Sequence, residues 1–366
     1  MLDHATVWGT IDFSHRLVAT RAFFHKRFRE LFGSEPPHES FIAWYLSRSS
    51  SDISVRRPPD IPNLDPIVRF AEMRSCLPVH VSNVALQFEK DILSFWMDYH
   101  LDTRNDWLFV YFTDGSVNVQ YPDESLSFDV PEASLHFLSR SYTGDCFARD
   151  VGVLFMKYDS LFGFGKGEGR GWHLSVPDGF YSIITSELHV SCELFASPIN
   201  RRASNYFSLF SSDSVFGSFG DYFESPTSLT DFLALMGNPA RLSVEANPPF
   251  QPLLMMRFAH RLTRLLSDSD EEGYDFLCVC IVPNWCKCEP IVFLRESSFL
   301  IHSILLTQGD HKFKPGWVDG EQVETDPAYW KNAQTLILVL GSMAARDRHN
   351  VSEDLERRIR ESWRPQ

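Results

Sequence analysis

Residues 243–250 read Ser243-Val244-Glu245-Ala246-Asn247-Pro248-Pro249-Phe250. The first four make a short run of strand type that alternates Ser and Glu with Val and Ala, and two prolines soon stop it. A run of helical period begins at Pro252 and reaches about residue 266. Upstream, residues 190–194 read as a strand that ends in Phe195-Ala196-Ser197-Pro198-Ile199-Asn200, and a helix follows Pro177. Downstream, residues 276–282 and 335–340 are further apolar strands. Apolar strands alternating with helices predict an α/β fold with a mostly parallel sheet and helices on both faces. In such a sheet ligands sit beyond the carboxyl ends of the strands. Both loops fall there.

The chain before this region has a different rhythm. Residues 13–32 form an amphipathic helix with Leu17, Phe24, Phe28 and Leu31 on one side and Gly33 at the stop. Arg16, Arg21, Lys26, Arg27 and Arg29 crowd its other sides, as a solvated surface or a phosphate-facing one. Residues 48–65 are a Ser- and Pro-rich loop with Arg56 and Arg57, and residues 83–101 a second helix. Residues 107–112 and 117–121 flank Thr113-Asp114-Gly115-Ser116, a β-hairpin signal. The expected organisation is an N-terminal, mainly helical α/β accessory region over 1–125, the sheet domain over 126–345, and a polar tail over 346–366. That tail reads as a polar helix or a frayed end.

Composition bounds the function. The 366 residues are 44% hydrophobic and 22% charged, ordinary for a globular chain. The N-terminus lacks a secretory pattern, and no uninterrupted apolar run approaches a membrane span, so neither export nor membrane insertion is expected. Seven scattered cysteines point to free thiols in a reducing compartment. A net charge of −14 opposes nucleic-acid binding unless basic groups gather on one face. Arg201, Arg202, Lys312 and Lys314 lie nearest the motif loops, and the helix carrying Arg21 and Arg27 is a more remote source.

Asn247-Pro248-Pro249-Phe250 suits one chemistry. An exocyclic adenine amine is a poor nucleophile because its lone pair is conjugated into the ring. It needs acceptors for its hydrogens so that the nitrogen can pyramidalise. The Asn247 side-chain oxygen and the Pro248 carbonyl can be those acceptors, Pro249 helps hold them stiff, and Phe250 offers a ring for stacking. The other reading is a plain proline turn with a buried phenylalanine.

The ordered motifs resemble those of the cap-specific adenosine N6-methyltransferases, the family of the phosphorylated-CTD-interacting factor. A glycine-rich stretch over 162–171 precedes Val176-Pro177. Phe195 to Asn200 stand where the family has its Phe-Ala-Ser-Pro-Leu-Asn loop, followed by Phe216-Gly217-Ser218 and then by residues 244–250. Val282-Pro283-Asn284-Trp285 and His311-Lys312-Phe313-Lys314-Pro315-Gly316 come last. Order and spacing hold over about 150–345. The resemblance implies a Rossmann-like methyltransferase sheet using S-adenosyl-L-methionine on capped RNA, and a nuclear enzyme, with the cytoplasm the other choice. Catalysis then falls to Asn247, Pro248, Pro249 and Phe250. The methyl donor meets Glu193, Phe195, Ala196, Ser197, Pro198, Asn200, Phe216, Gly217 and Asn247, and RNA meets Arg201, Arg202, His311, Lys312, Phe313 and Lys314. This chain departs in lacking a recognisable WW module, in Phe313 where the family has Tyr, and in a longer loop over 228–241.

Two features compete for attention. Cys278, Cys280, Cys286 and Cys288 invite a zinc reading, but the first pair shares one face of an apolar strand, so core thiols and no metal are expected. Residues 163–171 resemble a phosphate-binding glycine loop without its Gly-Lys-Ser/Thr ending. The alternatives to cap-proximal N6 methylation are the same chemistry on another cap nucleotide or an internal adenosine, or a catalytically silent cap-binding subunit.

Overall fold

The computed structural model describes residues 4–32, 36, 41, 91–92, 109–113, 116–121, 124–130, 132–162, 173–224, 226, 228–315, 334–349 and 351–364. The glycine-rich stretch 163–171, the loop 48–65 and most of the helix expected over 83–101 lie outside these. The chain divides into two compact units, Met1–Trp172 and His173–Gln366. Residues 126–172, which the sequence pattern groups with the sheet, cluster with the first unit.

In the first unit α1 (His4–Phe32) buries Leu17, Thr20, Phe24 and Phe28 at helical spacing. Strands β1 (Phe109–Thr113), β2 (Ser116–Tyr121) and β3 (Glu124–Asp129) form an antiparallel meander, with Thr113 paired to Ser116. Helices α2 (Glu132–Arg140) and α3 (Phe147–Phe162) follow. Two of the basic residues of α1 serve the fold. Arg21 donates to the carbonyls of Ser160 and Leu161 at 3.0 and 2.5 Å, groups that the end of α3 leaves without helical partners. Arg27 pairs with Asp91 at 2.7 Å and Glu30 at 2.9 Å.

The second unit opens with β4 (Leu174–Ser175) and α4 (Asp178–Leu188). Strands β5 (Val190–Ala196) and β6 (Asn205–Ser208), then α5 (Leu229–Leu235), β7 (Arg241–Ala246), α6 (Pro252–Glu271) and β8 (Asp275–Pro283) carry the chain across the sheet. Helix α7 (Glu289–Arg295), β9 (Leu300–Leu306), β10 (Lys314–Pro315), β11 (Thr335–Gly341), α8 (Met343–Arg348) and α9 (Glu353–Ser362) complete it. The sheet order is β6-β5-β7-β8-β11-β9. Neighbours from β6 to β8 run parallel, and β11 enters antiparallel to both β8 and β9. The mostly parallel sheet expected from the strand pattern is present, with one reversed strand inserted.

Alternation along the strands splits the core. Cys192, Leu194, Val244, Ala246, Cys278 and Cys280 face α6 with Phe258 and Leu262. Leu277, Val279, Ile281, Ile337 and Val339 face α4 and α9. The tail that reads as polar is a helix with an apolar stripe. Ser352 caps it, accepting from Leu355 N, and Leu355, Ile359 and Trp363 are buried. Trp363 meets Phe180 and Phe313, each with ring centroids 5.0 Å apart. Trp363→Ala is expected to destabilise the unit by about 3–5 kcal/mol. An unchanged urea midpoint would refute this packing role.

Candidate active site

The chain leaves β5 in one direction to form β6 and later returns on β5's other side as β7. Loops leaving the carboxyl ends of β5 and β7 therefore diverge. The gap between them is the crevice where open α/β sheets take their ligands.

The β5 loop is fixed by its own side chains. Ser197 N and Oγ donate to Asn200 Oδ1 at 2.7 and 3.0 Å, and Ser197 Oγ accepts from the amides of Ile199 and Asn200 at 3.2 and 3.1 Å. His173 Nε2 shares a 2.7 Å hydrogen bond with Ser197 Oγ, and Asn200 Nδ2 donates to His173 O at 3.4 Å. Burial pushes the His173 ring down to about 3, so it is neutral at physiological pH. Glu193, buried in β5, accepts from the amides of Arg202 and Ala203 at 2.6 and 2.7 Å. Glu193, Ser197 and Asn200 thus shape the loop through bonds inside the protein. Pro198 is buried, Ala196 is half-buried, and Phe195 meets Tyr222, Phe223 and Phe258.

The next wall follows β6. A 3₁₀ turn over Ser211–Phe216 ends on Gly217 at φ 91°, where an L side chain would be strained. Buried Phe216 accepts a hydrogen bond at its carbonyl from the Tyr206 hydroxyl at 3.0 Å.

At the end of β7, Asn247 Nδ2 donates to Leu174 O at 3.2 Å. A carbonyl can only accept, so the amide orientation is fixed and Oδ1 is turned away from Leu174. Pro248 is buried, and Pro249 and Phe250 are partly buried. Phe250 meets Trp285 at 6.4 Å and 76° and Phe313 at 6.1 Å and 75°. Among the described residues no ring stacks flat on it. Phe313 continues through Trp363 to Phe180, so the motif loop stands on a chain of rings.

The expected basic groups separate. Arg202 Nε and Lys314 Nζ reach the two carboxyl oxygens of Asp178 at 3.1 and 2.6 Å, and Arg202 also donates to Ser175 Oγ at 3.0 Å. Burial would raise the Asp178 carboxyl, but Lys314 and Arg202 outweigh it and hold it below its ordinary value. Lys312 donates its backbone amide to Trp363 O at 3.0 Å. Arg201 turns inward. It is 6% exposed, donates to Ala203 O at 3.0 Å and lies 5.0 Å over the Tyr206 ring. His311 is buried as well: Nδ1 donates to Thr307 O at 2.9 Å and Nε2 accepts from Thr335 Oγ1 at 2.8 Å. In this arrangement neither Arg201 nor His311 presents a polar group to a ligand, and both instead hold the loops that carry Arg202 and Phe313.

The motifs left His173, Asp178 and Glu245 unassigned. Asp178 reads only as an acid in a helix's first turn. Glu245 did carry a signal, as a charge inside the buried run Leu242 to Ala246. Cys278 and Cys280 are fully buried among core side chains, and Cys286 is exposed. No group of three or more His, Cys, Asp or Glu able to hold a metal is found among the described residues.

Sheet order, reversed β11 and the paired loops define a Rossmann-like methyltransferase fold. Residues 137–316 match the family model described as Phosphorylated CTD interacting factor 1 WW domain. Two curated relatives carry the name mRNA (2'-O-methyladenosine-N(6)-)-methyltransferase. The Homo sapiens protein is 32% identical over 169 residues, and the Mus musculus protein 31% over 169. Each match covers 45% of this chain and 22% of the relative, so the similarity spans about a fifth of those proteins.

Ser197→Ala removes one hydroxyl from four hydrogen bonds and leaves buried amides unsatisfied. A loss of about 2–3 kcal/mol is expected, read as a lowered denaturation midpoint. Equal midpoints would mean that the loop does not depend on this network.

Proposed function

We propose that the chain transfers a methyl group from S-adenosyl-L-methionine to the N6 amine of a cap-proximal adenosine in RNA, in the nucleus. The observation that carries the reading is the Asn247 amide, oriented by Leu174 O beside Phe250 at the switch point of the sheet. With its NH₂ engaged, Oδ1 is left to accept a hydrogen from the adenine amine. The Phe250 ring can support the base, and Pro248 and Pro249 limit the motion of both. The relatives named as N(6)-methyltransferases support the same assignment.

The crevice residues fit the proposed donor. Buried Glu193 in β5 offers negative charge beside a loop of small and uncharged residues, an environment that favours a sulfonium cation over a polyphosphate. Ala196, the loop from Ser197 to Asn200, and Phe216-Gly217 would hold it. When bound, S-adenosylmethionine supplies an electrophilic methyl group on a neutral leaving thioether. The chain's own work is alignment and acceptance of hydrogen bonds, with no side chain required to take a proton before attack.

Asn247→Ala should cut turnover about 10²–10³-fold with the fold intact. The assay is methyl transfer to matched short RNAs, capped or uncapped, beginning with A or another nucleotide. Capped RNA beginning with A should be the preferred substrate, and near-normal turnover by the variant would overturn the assignment.

Arg202, Lys312 and Lys314 are proposed to meet the phosphates of the cap, with Asp178 holding two of them in place beforehand. Activity on capped RNA should then fall with rising salt. Lys312→Glu with Lys314→Glu should raise the apparent KM for RNA about tenfold and leave donor affinity unchanged. An unchanged KM would exclude this patch.

A further inference from the structure

Glu193 and Glu245 are paired in register on neighbouring parallel strands, so their side chains leave the same face of the sheet. Both are buried, at 4% and 2% exposure. Two carboxylates side by side in an interior cannot both ionise cheaply. Their surroundings differ. Burial pushes the Glu193 carboxyl up to about 7, and the amides of Ala203 and Arg202, with the charges of Arg202 and Arg201, hold it from rising further, so of the two it is the one that ionises first. On the face of Glu245 stand the Glu193 carboxyl and the Tyr181 ring of α4, while the thiols of Cys192, Cys278 and Cys280 lie across the sheet on the α6 face. Tyr206 of β6 faces Glu193. Among the described residues the group that acts on the Glu245 carboxyl is Glu193, and it is acidic.

We propose that Glu193 and Glu245 share one proton: Glu245 remains a neutral acid, so that an ionised Glu193 can clamp the backbone at Arg202 and Ala203. The clamp anchors the far end of the loop from Ser197 to Asn200. Glu245 is therefore a positioning residue for the proposed donor crevice, acting through Glu193. The consequence for the donor rests on the proposed function; the shared proton does not.

Burial and the neighbouring Glu193 raise the Glu245 carboxyl well above its ordinary range. The unfolded chain releases this proton above roughly pH 4.3 while the folded chain retains it. The folded state therefore loses stability as pH climbs from that value towards the raised folded one. Glu245→Gln keeps the shape and the neutral charge and has no proton to lose. Its melting temperature should match the natural protein's near pH 5 and exceed it by about 5 °C at pH 8.5. A temperature difference that stays flat with pH overturns the proposal.

The same two proteins are then titrated with S-adenosylhomocysteine. Affinity should fall between pH 7 and 9 for the natural chain and stay level for Glu245→Gln. Parallel affinities would remove the positioning role even if the melting arm holds. If neither protein binds S-adenosylhomocysteine at any pH, the donor reading fails and the melting comparison alone decides the shared proton. Glu193→Gln, which keeps one acceptor oxygen, should retain more affinity than Glu193→Ala; equal losses in both count against the clamp.

Discussion

The divergence of the chain between β5 and β7 governs the rest of the second unit. Parallel neighbours that part company leave two loop backbones facing a gap, with amides and carbonyls no longer satisfied by the sheet. Those groups must find partners, and here they find them within the protein. Ser197, Asn200, His173 and Glu193 satisfy one loop, and Leu174 O orients the amide at the start of the other. The polar side chains near the crevice are thus largely committed before any ligand arrives. That is how a site that works by alignment avoids reorganising during the reaction.

Charge is arranged by the same economy. The chain carries a net charge of −14, and its site region holds cations by giving them local anions. Asp178 fixes Arg202 and Lys314 where free side chains of that length would sample many rotamers. A phosphate meeting that group competes with one exposed carboxylate and gains two ordered donors. Arg201 differs although it is the next residue. Its guanidinium lies over the Tyr206 ring in the interior, where it packs, bonds Ala203 O and adds positive charge near Glu193.

Much of this was legible in the residues. The strands at 276 and 335 are apolar runs and those at 190 and 243 mixed runs ended by Pro-containing loops, and the structure extends each by at most two residues per end. β6 is only Asn205–Ser208, with no breaker directly ending it, and β9 carries His302 and Ser303 at its centre, so neither gives a clear strand signal in the residues. The tail read as polar because its charges outnumber Leu355, Ile359 and Trp363, yet those three share a face and bury it. Motif order located the loops, but not which way neighbouring side chains turn. Arg201 and Arg202 look alike in sequence; Glu193 takes the backbone amide of Arg202, and the side chains then part. Glu245 was visible as a lone charge in a buried strand, while its partner across the ladder required the register.

The central claim is that this crevice delivers a methyl group to an adenine amine next to an RNA cap. The most direct measurement is to incubate the protein with isotopically labelled S-adenosylmethionine and capped RNA, digest the product to nucleosides, and identify the labelled one by mass spectrometry. The account predicts label on N6 of the cap-adjacent adenosine. Label on a ring nitrogen, on a ribose oxygen or on another base would contradict it.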